Sequence, residues 1–243
     1  MAKQSGLGDA FYVSGYDLSG DAASLGRVGA PLAVLDVTGI DKSGMERVGG
    51  LRDGAMEWVS HFNPAANQEH AVLSALPTTD ILATYCRGTV IGSGAASILG
   101  KQINYDPTRS QDGALSLAVQ VVGNAQGVEW GQLLTPGSAT HTAADSEESL
   151  DTAASISHGA TGYLHVLTVA GTDVTVKIEG SADDSSWSDV LSFAALSGAS
   201  DRSVQRVETA SNAAIPQYLR ATTVTTGGFT SLVFVVAIVK NKV

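Results

Sequence analysis

A single cysteine, Cys86, among 243 residues leaves no intrachain disulfide to hold the fold, so nothing ties the chain to an oxidising compartment. Cys86 stands inside the apolar run ILATYC, where a small buried hydrophobe is expected rather than a reactive thiol. Charge is scarce as well: 16% of residues are ionised, against about 25% in ordinary soluble domains. No basic cluster occurs, and the net charge of −10 is spread evenly over the two halves of the chain. Gripping a phosphate backbone needs a basic stripe, so that role is excluded, whereas an acidic wall along which nucleic acid slides is compatible. The longest strongly apolar stretch, LVFVVAIV, falls far short of the ~20 residues of a membrane helix, and no membrane insertion is expected. The opening MAKQSGLGDAFY lacks the apolar centre of a signal peptide, which points to synthesis in a cytoplasm.

Local signatures of catalysis are missing too. His61, His70, His141, His158 and His165 show no metal-binding spacing, and His165, in an apolar strand, is expected as a satisfied core or edge histidine. The stretch IGSGAASILG has Ser97 where a phosphate loop needs its third glycine, and no Lys-Ser/Thr follows. Asp183, Asp184 and Asp189 do not match a calcium loop and read as turn chemistry. No cofactor or metal is implied, and the chain is expected not to be an enzyme.

What is present is strand. Hydrophobic residues make up 44% of the chain and glycine occurs 27 times, the texture of a β-rich protein with many turns. Strands are expected at 31–38, 55–62, 81–87, 96–105 and 114–124; in the last, Leu115, Leu117, Val119 and Val121 alternate with small or polar residues. One helix is expected after Asn63, a candidate N-cap, with Pro64 in its first turn and Pro77 as a stop, Val72, Leu73 and Leu76 sharing a face. Residues 137–155 are small, polar and acidic and read as a linker between residues 1–136 and 156–243. Beyond it the pattern is wholly β: Val174, Val176 and Ile178 alternate with Thr175, Lys177 and Glu179, and Thr226–Gly227–Gly228 looks like a hairpin turn. Short strands with frequent turns suggest a β-sandwich. The final strand is apolar on both faces and is expected to be central and covered twice.

The segments LAVLDVTGIDKSGMERVGGLRDGAMEWVSHFNP and LSALPTTDILATYCRGTVIGSGAASILGKQINYDPTRSQDGALSLAVQVVGN resemble the tail tube proteins of long-tailed, siphovirus-like bacteriophages. The likeness covers residues 1–136, and 156–243 resemble the accessory β-sandwich modules appended to tail and capsid proteins. It implies a mainly β fold: an N-terminal sandwich or barrel with one flanking helix, then a C-terminal sandwich. It further implies a virion protein that polymerises with itself, as stacked six-membered rings, into the hollow tail through which double-stranded DNA passes without specific binding. Tape measure, tail terminator and baseplate proteins would be its other partners. On this reading Lys42, Glu46, Arg47, Arg52 and Asp53, in the Gly39–Gly54 connection, form inter-subunit pairs, a solvated loop being the alternative. Glu57, Asp80 and Asp112 are candidates for an acidic lumen. Trp187 is expected in the core; the alternative has it stack on host-surface carbohydrate with Tyr218. Competing functions are a capsid decoration or head–tail joining protein, and a surface carbohydrate-binding module.

Overall fold

The computed structural model describes residues 5–199 and 202–241. The fold is mainly β. Its strands are β1 (Ala10–Val13), β2 (Tyr16–Asp17), β3 (Ala22–Gly29), β4 (Leu32–Asp36), β5 (Arg47–Arg52), β6 (Ala55–His61), β7 (Ile81–Cys86), β8 (Gly94–Arg109) and β9 (Leu115–Gly123). They continue as β10 (Glu129–Leu133), β11 (Ala139–His141), β12 (Leu150–Asp151), β13 (Ala160–Ser181), β14 (Ser188–Ser192), β15 (Leu196–Ala199), β16 (Ser203–Glu208), β17 (Tyr218–Val224) and β18 (Phe229–Lys240). One short helix, α1, spans Glu69–Leu73.

Two long strands organise four layers. β8 pairs with β7 up to Gly100 and from there to Arg109 with β9, so it leaves one layer and enters the next across a bulge at Gln102–Asn104. β13 does the same: Ala160–Gly171 pairs with β18, and Thr175–Ser181 with β17. Its bend is at Gly171, where a Cβ would lie 2.3 Å from Phe229 Cα, so a side chain has no room. The order through the molecule is β3–β6–β9–distal β8, then β2–β1–β7–proximal β8, then β10–β18–proximal β13–β16, then β12–β17–distal β13–β14. β10 stitches the middle layers edge to edge, pairing Trp130 with Ala96 and Gln132 with Ile238.

Three cores lie between the layers. Phe11, Val13, Met56, Trp58, Ile98, Leu117 and Val119 fill the first. Tyr12, Leu82, Cys86, Leu133, Tyr163, Val235 and Ala237 fill the second, and Leu164, Val176, Ile178, Leu219, Phe234 and Val236 the third. Because β7 and β18 each lie between two cores, both their faces are mainly apolar, and the buried exception, Thr84, is bonded to Ser97 and His165. The expectation that the last strand is covered twice therefore holds, as does that for Cys86, whose burial pushes its thiol up to about 12. His165 sits wholly inside the middle core, its Nε2 2.9 Å from Thr84 Oγ1, and burial lowers its imidazole to about 3.

Several expectations are corrected. The helix begins at Glu69, not after Asn63, because the Asn63 side chain accepts the Ala65 N–H at 3.1 Å and closes a turn instead of capping a helix. No hairpin forms at Thr226–Gly228: β17 and β18 pair with different halves of β13, and the connection crosses between layers. Asp173 holds that crossing by accepting the N–H groups of Thr226 and Gly227. Residues 137–155, read as a linker, contain β11, paired with β18, and β12, paired with β17. Trp187 is half-buried outside the cores, with the Arg220 guanidinium 4.1 Å above its ring and Glu179 holding Arg220 at 2.7 Å. Of the Gly39–Gly54 connection, the part up to residue 46 is a loop at the tip of the β4–β5 hairpin, whereas Arg47–Arg52 is the strand β5.

Shared strands should make the layers unfold together. Leu82→Ala, in the middle core, is expected to cost about 2–5 kcal/mol and to lower the urea midpoint of a single transition. A separate transition for the C-terminal half would contradict this.

Candidate assembly surface

The β3–β6 hairpin runs past the body of the protein. At Ala30–Pro31 and Asp53–Gly54 its two strands leave the layered core, and they continue as β4 and β5, a two-stranded sheet of its own. The root is tied by backbone acceptors. Arg27 Nη2 donates to the Asp53 carbonyl at 2.9 Å, Arg52 Nη1 to the Ala30 carbonyl at 3.2 Å, and Asp53 N–H to the Pro31 carbonyl at 3.1 Å. At the tip, Thr38 donates from N–H and hydroxyl to Asp36, which holds that carboxyl below its ordinary range. Thr38 Oγ1 in turn accepts the Glu46 N–H at 2.8 Å.

Beyond its root this arm has no core. Leu32, Val34, Leu35, Val37, Ile40, Met45, Val48 and Leu51 are all exposed, Leu51 at 88% and Ile40 fully. They occupy both faces: Leu32 lies against Gly49, while Leu35 pairs with Val48 on the other side. A two-stranded hairpin is marginal in water, and a contiguous run of open apolar side chains is unusual for an isolated soluble domain.

The charged residues expected to make inter-subunit pairs all belong to the arm, in different roles. Lys42 lies 3.7 Å from Glu46 and 3.6 Å from Asp41 at the tip, and such exposed pairs contribute little. Arg47 stands on β5 with Nη2 3.0 Å from Met45 Sδ, and Arg52 and Asp53 hold the root. The acidic candidates are not gathered in one place. Glu57 points outward from β6 and accepts from Gln120 at 3.0 Å. Asp80, before β7, is bound by Lys101 at 2.8 Å and by Asn124, which hold its carboxyl below the ordinary range. Asp112 sits in the β8–β9 turn, likewise lowered by its bond from Ser110.

Register reveals a surface that the sequence did not mark. Ser24, Val59, Ala118 and Asp106 fall in one row across β3, β6, β9 and β8, and Glu57, Gln120 and Asn104 in the next. This outward face is uncovered, built mostly from small and polar groups with Val59 among them, and carries the carboxylates of Glu57 and Asp106. Its two margins are open: β3 has β6 as its one partner, and beyond Gly100 β8 has only β9, among the described residues. The signal for the arm was available in the alternation LAVLDV and RVGGL around a Gly/Asp/Lys/Ser tip.

Elsewhere, a cleft of about 740 Å³ opens beside the arm's root, lined by Arg52, Trp130, His158, Glu208 and Lys240 among others. Most of its charged groups are already engaged: Arg206 spans Glu129 and Glu208, and Lys240 donates to Thr152 and to the carbonyls of Ala154 and Pro216.

No family model matches the chain, and no curated protein matches it. Among solved structures it is similar to the Dit (gp 19.1) protein of phage SPP1, described as a paradigm of the hub adsorption apparatus in phages that infect Gram-positive hosts. That match has a TM-score of 0.35 and 11% sequence identity, over 96% of this chain and 99% of the other. At such a score the likeness carries no functional weight.

In the free chain, the arm's amides between Val34 and Val48 are expected to exchange with solvent at close to the rate of an unstructured peptide, while those of β7 and β18 stay protected. Arm protection equal to that of β7 in a dilute sample would show that the hairpin needs no partner.

Proposed function

We propose that this chain is a structural, non-enzymatic protein of a phage tail, a subunit that stacks as rings, six-membered by family resemblance, into the tube that conducts double-stranded DNA. The arm is the observation that carries this reading. Its apolar residues have nothing of their own chain to cover them, and a second copy offers the same partner to every subunit. A contact between unlike surfaces of identical copies closes into a ring when its rotation divides the circle. The open margins at β3 and distal β8 lie on opposite sides of one sheet, so each can extend the sheet of a neighbour by main-chain hydrogen bonds. In such a ring the small, polar face bearing Glu57 and Asp106 is the surface suited to the bore. Carboxylates repel phosphates, and small side chains leave the passage open. The C-terminal sandwich projects away from the bore. Tape measure, terminator and baseplate proteins meet the ends of the tube.

Negative-stain electron microscopy of the concentrated protein tests this. Wild type is expected to form rings or tubes of uniform diameter. Leu35→Asp with Ile40→Asp places charge where apolar contact is needed and is expected to raise the assembly concentration by roughly a hundredfold, with the circular dichroism of the body unchanged. Arg47→Ala and Arg52→Ala are expected to weaken assembly less. A wild type that stays a single molecule at high concentration would exclude the tube, and saturable glycan binding by that monomer would favour a surface-binding module.

A further inference from the structure

The first core has an ionisable group that no packing argument requires. Layer two stops where β7 ends, opposite Gly100, yet β8, β9 and β6 run on beyond it. The gap is filled by α1 and its flanks: Leu73 is buried in the core, the Leu73 carbonyl accepts from Gln102 Nε2 at 2.8 Å, and His70 Nδ1 lies 2.6 Å from the Tyr105 hydroxyl. Glu69 is the first residue of this helix and is completely buried. Its Oε1 accepts from the Ser60 hydroxyl at 2.5 Å, and the Trp58 indole N–H faces the same carboxyl, although among the described residues Oε2 has no hydrogen bond of ordinary geometry. A second carboxyl stands beside it. Asp21, nearly buried, accepts the Glu69 N–H at 3.2 Å through Oδ2 and the Asn63 amide at 2.9 Å through Oδ1.

We propose that Asp21 and Glu69 form a proton-controlled latch that holds residues 62–80 against the underside of the β8–β9–β6 sheet. Asp21 receives donors from two directions, whereas Glu69 is held by one hydroxyl in a buried site, so the closed segment favours Glu69 as the neutral acid. The groups around the pair are Trp58 and Ser60 from β6, Tyr105 from β8, Asn63 from the preceding turn and His70 from the helix itself, and among the described residues no Lys or Arg is bonded to either carboxyl. Burial above all, with the Asp21 carboxylate adding to it, lifts the Glu69 acid to about 7 from an ordinary 4.5.

The sign follows from linkage. An opened segment gives Glu69 its ordinary acidity, so between the two values the open form binds fewer protons than the closed one. Rising pH therefore favours opening by close to tenfold per unit until about pH 7, and has no further effect above it. The latch stands independently of the assembly reading.

Amide exchange of residues 62–80 between pH 5.5 and 8.5, corrected for the intrinsic pH dependence of exchange, tests it. In wild type the opening constant is expected to climb by more than tenfold and then level near pH 7. Glu69→Gln is expected to be flat with pH, and Asp21→Asn to level at lower pH. An equal climb in wild type and Glu69→Gln would overturn the proposal. Should Glu69→Gln fail to fold, the carbon NMR titration of the wild-type Glu69 carboxyl decides. A midpoint near neutrality supports the latch, and one at the ordinary glutamate value removes it.

Discussion

Strand β7 and the Phe234–Val239 stretch of β18 have no face left for solvent, and the rest of the molecule is arranged around that constraint. Each lies between two cores, so each is mainly apolar on both sides, and every strand that pairs with them inherits a fixed place in the stack. β10 joins their two layers by main-chain bonds, and at Gly131 the approach is so close that a Cβ would lie 2.0 Å from the Ile238 carbonyl oxygen. With its centre so fully committed, the molecule keeps its unused bonding capacity at the margins: the edges of β3 and distal β8, and the arm that grows from β3 and β6.

The arm makes sense only against that background. Its root is fastened by Arg27 and Arg52 to carbonyls, which fixes where it leaves the body. Beyond the root, apolar side chains on both faces forgo burial in the subunit itself. Hydrophobic residues scattered singly over a surface need no explanation, but eight in one projecting hairpin do. Exposed ion pairs at the tip add little to stability.

Much of the fold could be read from residues because it follows from local periodicity. The alternation in β9, the double-sided apolar run of β18 and the buried ILATYC strand each imply their surroundings. What could not be read depends on partners distant in sequence. Thr226–Gly227–Gly228 has hairpin chemistry, yet β13 draws β17 and β18 to different layers. The acidic stretch before β13 looks like linker until His141 is seen bonded to Glu147 at 2.8 Å and to Thr223 at 2.9 Å. Asp106 escaped notice because a residue near a turn shows its face only once the β8–β9 register is known. Glu69 gave no sign at all, since its burial comes from β6 and the Asp21 turn.

In the proposed assembly, copies of the same chain cover the arm and the two open strand edges. Amide exchange compared between dilute and concentrated protein measures this directly. Protection is expected to rise with concentration at residues 32–52, along β3 and along distal β8, and nowhere on the outer strands of the C-terminal sandwich. No dependence on concentration, or new protection confined to β14 and β17, would contradict it.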